Sequence, residues 1–239
     1  MVAVITGTIK PADSVGQLSI KNEDERRQQY IDCLKFFIES GAFKKIVFCE
    51  NSNYGNEQLM FLQKFAENNR VNLEILSFQG NIKEITRHGK GYGEGEIMSY
   101  VLKHSELVKK SQYLVKITGR MRVDNIKDIV ALLKRNRTYF NIPNFTLNQL
   151  YDTRIYGMSI QQFEKYFENC YDEVWDDRGV YLEHIYTKIL KEKKIKVMNF
   201  PRYPRIVGIS GSTGLRYSYC EWKCRVKDIL SLLRCYRVK

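Results

Sequence analysis

Four short apolar segments, each followed by a helix-like segment, constrain the fold of this chain more than any other feature of its sequence. The apolar segments span residues 2–5, 46–49, 73–78 and 113–117. The spacing of apolar residues between and after them predicts helices over residues 22–40, 56–69, from after 95 to about 109, and 124–135. This alternation of strands and helices indicates the α/β class, with a mainly parallel central sheet.

The second half of the chain has a less regular pattern. Two strands are predicted on either side of Pro143, within residues 137–158, and Ser159 is predicted to cap a helix that ends near residue 170. The remaining predicted elements are a helix over 176–194, a strand over 196–198, a loop over 201–219 and a basic amphipathic helix over 221–236. Because no linker or internal repeat divides the chain, a single domain over residues 1–239 is expected.

The net charge of the chain implies an anionic partner. The 239 residues include 39 Lys and Arg against 27 Asp and Glu, a formal charge of +12, and nucleic acid, a membrane surface or a phosphorylated small molecule would each suit it. No stretch approaches the roughly 18 apolar residues of a membrane span, and the N-terminus does not resemble a signal peptide. A cytoplasmic location with reduced cysteines is therefore expected, and Cys220 and Cys224 alone are a poor zinc signal.

Small and polar residues follow the predicted strands at the edge of the sheet where ligands bind in open α/β folds. They are Thr6-Gly7-Thr8, Glu50-Asn51-Ser52, Gln79-Gly80-Asn81 and Thr118-Gly119-Arg120. Each group alone is compatible with an ordinary turn. Their shared position favours a binding site.

A glycine-rich segment, residues 88–95, includes Lys90, Gly91, Tyr92 and Gly93. It is predicted to be a loop before a helix, where backbone N–H groups can approach a phosphate. It matches neither a Walker loop nor a dinucleotide fingerprint, and a flexible lid is the alternative interpretation.

The order of these segments resembles the GT-A-fold nucleotide-sugar glycosyltransferases, especially bacterial enzymes of surface-polysaccharide assembly such as O-antigen and capsule. The segment from Val47 to Ser52 is similar to their V-D-x-S motif, with Glu50 in the acidic place, and residues 91–96 match a glycine segment that starts a helix. The resemblance covers residues 1–190 in order of elements. It implies a single domain. Residues 1–135 would bind the nucleotide-sugar donor, for which a UDP-sugar is expected, residues 136–219 would meet the acceptor, and residues 220–239 would form the C-terminal helix.

The main departure from that family lies after the fourth strand. The family keeps an Asp-x-Asp motif there, which holds Mg²⁺ or Mn²⁺ against the leaving diphosphate, whereas this chain has Thr118-Gly119-Arg120. Arg120 and Arg122 would neutralise the diphosphate directly, and no metal would then be required. Alternatively, Asp124 or Asp177 supplies a metal ligand, or Arg120 is an ordinary surface residue.

The resemblance also implies roles for individual residues. Glu50 and Asn51 would hold the nucleoside. An acidic residue near a helix start would be the catalytic base; Asp176, Asp177 and Glu183 match this position, with Asp177 the first candidate and Glu183 the second. Asp176 and Asp177 would otherwise be helix-capping residues. The loop over 201–219 would close on the diphosphate with Arg202, Arg205 and an anion-binding nest at 210–214, or would be a surface turn. The predicted donor-binding residues are Thr6, Gly7, Thr8, Glu50, Asn51, Ser52, Lys90, Gly91, Tyr92, Gly93, Thr118, Gly119, Arg122, Arg202 and Arg205.

The last predicted helix combines an apolar stripe with many cations. The stripe comprises Trp222, Val226, Ile229, Leu230 and Leu233, and the cations are Lys223, Arg225, Lys227, Arg234, Arg237 and Lys239. The stripe would pack in the core, or it would dock on anionic lipid at the inner face of the membrane. The second alternative suits the glycan or lipid-linked acceptor that the resemblance implies.

Two other functions remain as alternatives. A nucleic-acid-binding protein would explain the charge and the 16 tyrosines, but no recognised nucleic-acid module is present, so no nucleic-acid partner is expected. A non-catalytic scaffold for polysaccharide assembly would explain the missing metal motif.

Overall fold

A computed structural model describes residues 1–14, 16, 20, 22–55, 57–141, 150–209 and 214–232. Its centre is a seven-stranded sheet in the order β3-β2-β1-β4-β7-β6-β8. The strands are β1 (Val2–Gly7), β2 (Lys45–Glu50), β3 (Asn72–Ser77), β4 (Tyr113–Thr118), β6 (Thr138–Asn141), β7 (Asp152–Ser159) and β8 (Val197–Met198). Strands β1 to β4 are parallel to one another, and β7 runs antiparallel to β4. The predicted α/β class with a mainly parallel sheet is confirmed.

Helices cover both faces of this sheet. They are α1 (Glu23–Glu39), α2 (Phe61–Asn68), α3 (Ile82–His88), α4 (Lys90–His104), α5 (Glu106–Lys109), α6 (Ile126–Leu132), α7 (Ile160–Tyr166), α8 (Leu182–Glu192) and α9 (Glu221–Leu232). Alternate residues of β1 enter two apolar clusters: Ala3 and Ile5 pack with α1, α2 and α6, while Val2 and Val4 pack with α4, α7 and α8. A strand that is buried on both faces requires a continuous apolar run, as residues 2–5 have.

A second, three-stranded sheet lies beside the end of β4. Its order is β10-β9-β5, with β5 (Met121–Val123), β9 (Ile206–Ile209) and β10 (Arg216–Tyr217) all antiparallel. Strand β5 leaves β4 through a two-residue turn at Gly119 and Arg120. This small sheet therefore brings β9 and β10 to the edge where the parallel strands end.

Several predicted elements differ from the structure. Residues 90–95 begin helix α4 and do not form a loop. The predicted helix at residue 176 is a short 3₁₀ turn, Asp176–Arg178, and α8 begins only at Leu182. The predicted loop over 201–219 contains β9 and β10, and α7 ends at Tyr166. The two strands predicted around Pro143 are confirmed as β6 and β7, while Pro143 itself, residues 210–213 and residues 233–239 lie outside the described residues.

No helix within the described part of the chain is long and apolar enough to cross a membrane. The described cysteines, Cys33, Cys49, Cys170, Cys220 and Cys224, form no disulfide with one another.

Candidate functional site

A cavity of about 840 Å³ opens at the carboxyl ends of the parallel strands. The strand-end residues that line it are Thr6, Gly7 and Thr8 after β1, Asn51 and Ser52 after β2, and Thr118, Gly119 and Arg120 after β4. Other lining residues lie at the start of α4, in the turn at Asp176 and at the start of α8. Thr153, Arg154 and Tyr217 also line the cavity. The structure thus brings together the polar strand ends that the sequence placed at one edge.

Close contacts between strand ends shape this part of the cavity. The Gly119 N–H donates to the Thr6 carbonyl oxygen at 2.8 Å, and a Cβ on Gly119 would lie 2.4 Å from that oxygen. The Thr8 hydroxyl donates to Asn51 Oδ1 at 2.6 Å, and the Thr8 N–H donates to the Tyr30 hydroxyl at 2.9 Å. Glycine is therefore required at position 119, because the backbones of β1 and β4 approach too closely for a side chain.

Two arginines contribute positive charge to the lining without a carboxylate partner. Arg26 is buried and donates from Nε to the Thr8 carbonyl at 2.9 Å and from Nη1 to the Ile20 carbonyl at 3.1 Å. Arg120 donates from Nη1 to Gln29 Oε1 at 3.2 Å and lies over the Tyr30 ring at 5.7 Å. Neither forms an ion pair among the described residues, which include every Asp and Glu of the chain.

The two guanidinium groups share the neighbourhood of Thr8 and Tyr30: Arg26 donates to the Thr8 carbonyl, the Thr8 N–H donates to the Tyr30 hydroxyl, and Arg120 lies over the Tyr30 ring. Burial lowers the pKa of Arg26, and the positive charge of Arg120 lowers it further. Because both cations have only neutral hydrogen-bond acceptors, no carboxylate offsets their repulsion. An anion bound in the cavity beside both guanidinium groups would be stabilised by both positive charges.

Arg120 is also conformationally unusual. Its φ of 65° lies in the left-handed region, which a non-glycine residue adopts at a cost on the order of 1 kcal/mol. Its buried Nε has no hydrogen-bond partner among the described residues, although buried donors are generally paired. Strain of this kind is typical of functional sites.

Carboxylates lie in another part of the same cavity. Asp176 Oδ2 accepts from the Gly91 N–H at 3.4 Å, at the N-terminus of α4. Burial raises the pKa of Asp176, and the negative charge of Glu183 contributes to that rise. Glu183 Oε1 accepts from the Thr153 hydroxyl at 2.6 Å, which orients its carboxylate. Burial lowers the pKa of Lys90, which lies close to both acids.

A buried ion pair between Lys116 and Glu94 lies next to the cavity lining. Lys116 of β4 has no exposed surface, and its Nζ donates to Glu94, to Thr118 Oγ1 at 2.7 Å and to the Thr153 carbonyl at 2.8 Å. These contacts join β4, β7 and α4. Since Glu94 and Thr153 also line the cavity, Lys116 fixes the positions of lining residues without lining it.

Many of the predicted site residues do line the cavity. They are Thr6, Gly7, Thr8, Asn51, Ser52, Lys90, Gly91, Gly93, Thr118, Gly119, Arg120 and Glu183. Their roles remain predictions, since geometry shows only that they are placed together.

The other predicted residues lie outside the lining. Glu50 is fully buried and accepts from the backbone N–H groups of Ser52 and Tyr54, both at 2.8 Å, so it orders the loop and does not face the cavity. Arg205 is held in ion pairs with Glu221 at 2.7 Å and Asp228 at 3.2 Å.

Five further predicted residues point elsewhere. Tyr92 packs against His88 and Tyr171, Arg122 lies over Phe36, and Asp124 accepts from the Tyr219 hydroxyl. Arg202 and Asp177 are exposed and do not belong to the lining. Of the adjacent acids 176 and 177, the structure therefore places Asp176 at the cavity.

The residues that sequence reasoning missed are Arg26, Tyr30, Lys116, Thr153, Arg154 and Tyr217. Three of them had a signal in the sequence: Lys116 is the only charged residue of strand β4, and Arg26 and Tyr30 are four residues apart, on one face of α1. Arg154 pairs with Asp152 at 2.6 Å and lies over the Tyr217 ring, a contact between two sheets that spacing could not reveal.

The end of β4 does not fit the Mg²⁺ or Mn²⁺ site that the family resemblance implies. Thr118 and Arg120 stand where two carboxylates would be needed, and Asp124 Oδ2 already accepts a tyrosine hydroxyl at 3.1 Å. Within the part of the chain that the structure describes, no group of three or more His, Cys, Asp or Glu side chains has an arrangement that would hold a metal. Independence from a metal remains a prediction.

No protein-family model matches the sequence, and no curated protein matches it. Among solved structures, the chain is similar to a nucleoside-diphosphate-sugar pyrophosphorylase from Vibrio cholerae RC9, with 10% identity, a TM-score of 0.48, and coverage of 84% of this chain and 91% of that one. It is also similar to a cytidylyltransferase from Leptospira borgpetersenii, with 14% identity, a TM-score of 0.46, and coverage of 100% and 98%. Both TM-scores are below 0.5, a similarity too low to indicate a function.

Proposed function

We propose that this protein transfers a sugar from a nucleotide-activated donor to a hydroxyl group of a second substrate. The observation that carries the proposal is the pair Arg26 and Arg120, two neighbouring cations without a carboxylate partner in the lining of the cavity. Guanidinium groups bind phosphate oxygens through two parallel hydrogen bonds. A diphosphate placed here would relieve their mutual repulsion.

The rest of the cavity suits the remainder of such a donor. Its volume of about 840 Å³ lies within the roughly 300–1,000 Å³ typical of small-molecule sites. Thr8, Asn51 and Ser52 offer hydroxyl and amide groups in the same lining as the arginines. These groups would bind the nucleoside, for which the uridine of a UDP-sugar is the first candidate.

The carboxylates in the cavity provide a general base for the acceptor hydroxyl. Glu183, oriented by Thr153, is the proposed general base. It takes the proton of the acceptor hydroxyl while that oxygen bonds to the anomeric carbon and the bond from this carbon to the diphosphate oxygen breaks. The negative charge that develops on the leaving diphosphate is stabilised by Arg120, and removal of one such donor typically costs about 3 kcal/mol of barrier. A glycan or lipid-linked glycan is the proposed acceptor.

Incubation with a panel of UDP-, CDP-, GDP- and TDP-sugars tests the proposal. Release of a nucleoside diphosphate, with gain of one sugar on an acceptor by mass spectrometry, is the expected result, in the presence of EDTA as well as of Mn²⁺. Release of pyrophosphate from a nucleoside triphosphate would show nucleotidyl transfer instead. Tight, salt-sensitive binding of oligonucleotides without nucleotide-sugar turnover would favour a nucleic-acid-binding protein. Donor binding without any turnover would favour a non-catalytic scaffold.

Variants of three acids test the assignment of the base. Glu183→Gln should lower turnover about 10²–10⁴-fold while donor binding is retained. Asp177→Asn, on the exposed turn, and the control Glu192→Gln, at the end of the same helix α8, should turn over as the wild type does. A normal rate for Glu183→Gln together with a slow Asp177→Asn would move the role to Asp177.

A further inference from the structure

Helix α9 is oriented with its apolar face outward. Trp222, Val226 and Ile229 follow one another at intervals of four and three residues, which places them on one face. Their exposed fractions are 64%, 45% and 56%. Among the α9 residues whose side chains the structure describes, the buried ones are Cys224 and Asp228. A surface helix normally buries its apolar stripe and exposes its polar one.

Ion pairs fix this orientation. Asp228 Oδ1 accepts from the Tyr203 N–H at 2.6 Å, and its Oδ2 pairs with Arg205 at 3.2 Å. Glu221, at the start of the helix, pairs with the same arginine at 2.7 Å. Rotation of α9 to bury Trp222 would break these contacts and leave the charge of Arg205 unpaired, so the domain holds the apolar face toward solvent.

Cations surround the exposed face. Lys223 and Arg225 are exposed beside Trp222, and Arg202 and Arg216 are exposed on the segments that precede the helix. The acids of α9, Glu221 and Asp228, are already paired. A partner that fits this surface therefore offers both an apolar interior and a layer of negative charge.

We propose that the outer face of α9, comprising Trp222, Val226, Ile229, Lys223 and Arg225, docks the protein on an anionic lipid membrane. The helix would lie in the plane of the headgroups with its three apolar side chains among the acyl chains. A second copy of the chain fits less well, because a symmetric contact would bring the cations of both helices together.

Docking of α9 on a membrane would also determine how far the cavity lies from the lipid surface. Tyr217, which lines the cavity, stands only four residues before Glu221, the first residue of α9. A docked α9 therefore keeps the cavity close to the membrane surface. The inference is independent of the proposed function, because it concerns a face outside the cavity.

Sedimentation with lipid vesicles tests the inference. The full chain should bind vesicles of phosphatidylcholine with about 30% phosphatidylglycerol, should bind phosphatidylcholine alone at least about fivefold more weakly, and should lose affinity as salt rises. The variant Trp222→Ser/Val226→Ser/Ile229→Ser should bind at least about tenfold more weakly. The matched control is Met60→Ser/Phe61→Ser, which removes side chains that are 54% and 50% exposed elsewhere on the molecule and should bind as the wild type does.

A charge pair of variants completes the experiment. Lys223→Glu should weaken binding to the anionic vesicles, whereas Lys64→Glu, on exposed surface of α2, should not. This pair keeps the test valid if the triple variant fails to fold. Absence of vesicle binding, equal binding to both lipid compositions, or equal losses for control and test variants would overturn the inference. So would a wild-type dimer in sedimentation equilibrium that Lys223→Glu or the triple variant dissociates, because α9 would then be an interface between copies.

Discussion

Replacement of Lys116 by Met should destabilise the protein far more than loss of an ordinary ion pair. The Lys116 side chain is fully buried, and its removal leaves the Glu94 carboxylate, which is only 24% exposed, without its cation. It also leaves the Thr118 hydroxyl and the Thr153 carbonyl without a donor. Breaking a buried pair from one side costs about 3–5 kcal/mol, and the partial exposure of Glu94 favours the lower end, about 3 kcal/mol. For a domain of this size the melting temperature should fall by about 6–12 °C.

The chain offers a closely matched control in Lys103, which pairs with Glu168 at 3.5 Å. The side chains of the two acids are almost equally exposed, 24% for Glu94 and 25% for Glu168. The exposed fractions of the lysine side chains differ, 0% for Lys116 and 58% for Lys103. Lys103→Met should therefore change the free energy of unfolding by less than about 0.5 kcal/mol in urea titrations. Adding Glu94→Gln to Lys116→Met should recover part of the loss. Equal costs for the two lysine variants would refute the reasoning.

Two further predictions concern the edges of the cavity. Gly119→Ala should lower the free energy of unfolding by about 1–3 kcal/mol in urea titrations, since the new Cβ would lie 2.4 Å from a backbone oxygen. The same variant should weaken nucleotide binding. The control Gly16→Ala, which places its Cβ in open space, should change neither property. Because burial raises the pKa of Asp176, the folded state holds that proton more tightly than the unfolded state. The wild type should thus gain stability relative to Asp176→Asn as the pH falls through the folded pKa toward the ordinary value of 3.8, and should lose that gain as the pH rises through the folded pKa. Parallel stability curves for the two proteins would contradict this.

The central sheet could be predicted because its first strands are short, mainly apolar runs. Both faces of β1 are buried in separate clusters, so the run at residues 2–5 could not be mistaken for a half-exposed strand. The polar residues after each run then had to meet at one edge. That reasoning was sufficient to place Thr8, Asn51 and Arg120 in one cavity.

The start of α4 could not be predicted from local preferences, because glycine disfavours a helix. Tertiary packing overrides that preference here. A Cβ on Gly95 would lie 2.2 Å from Tyr171, and one on Gly91 would lie 3.0 Å from Val174. These two glycines are four residues apart, on the face where α4 packs closely against the 171–176 segment, so their function in the fold is close approach.

Which acid faces the cavity depended on a turn that the sequence pattern did not define. A regular helix was predicted from residue 176, whereas a 3₁₀ turn with Gly179 in the left-handed conformation precedes α8. The change of geometry exposes Asp177 and turns Asp176 toward the cavity. Glu50 was likewise assigned to the ligand because spacing gives its position at the strand end but not the direction of its side chain.

Calorimetric titration of UDP, CDP, GDP and TDP into the wild type and two arginine variants tests the central claim most directly. Arg120→Ala removes a cation from the cavity lining. The control Arg70→Ala removes an arginine outside the lining whose φ is also positive, 58° for Arg70 and 65° for Arg120. The wild type should bind at least one of these nucleotides, Arg120→Ala should bind it about 10–100-fold more weakly because charged hydrogen bonds are lost, and Arg70→Ala should bind it normally. Unchanged affinity of Arg120→Ala, or no binding of any nucleoside diphosphate by the wild type at millimolar concentration, would contradict the claim.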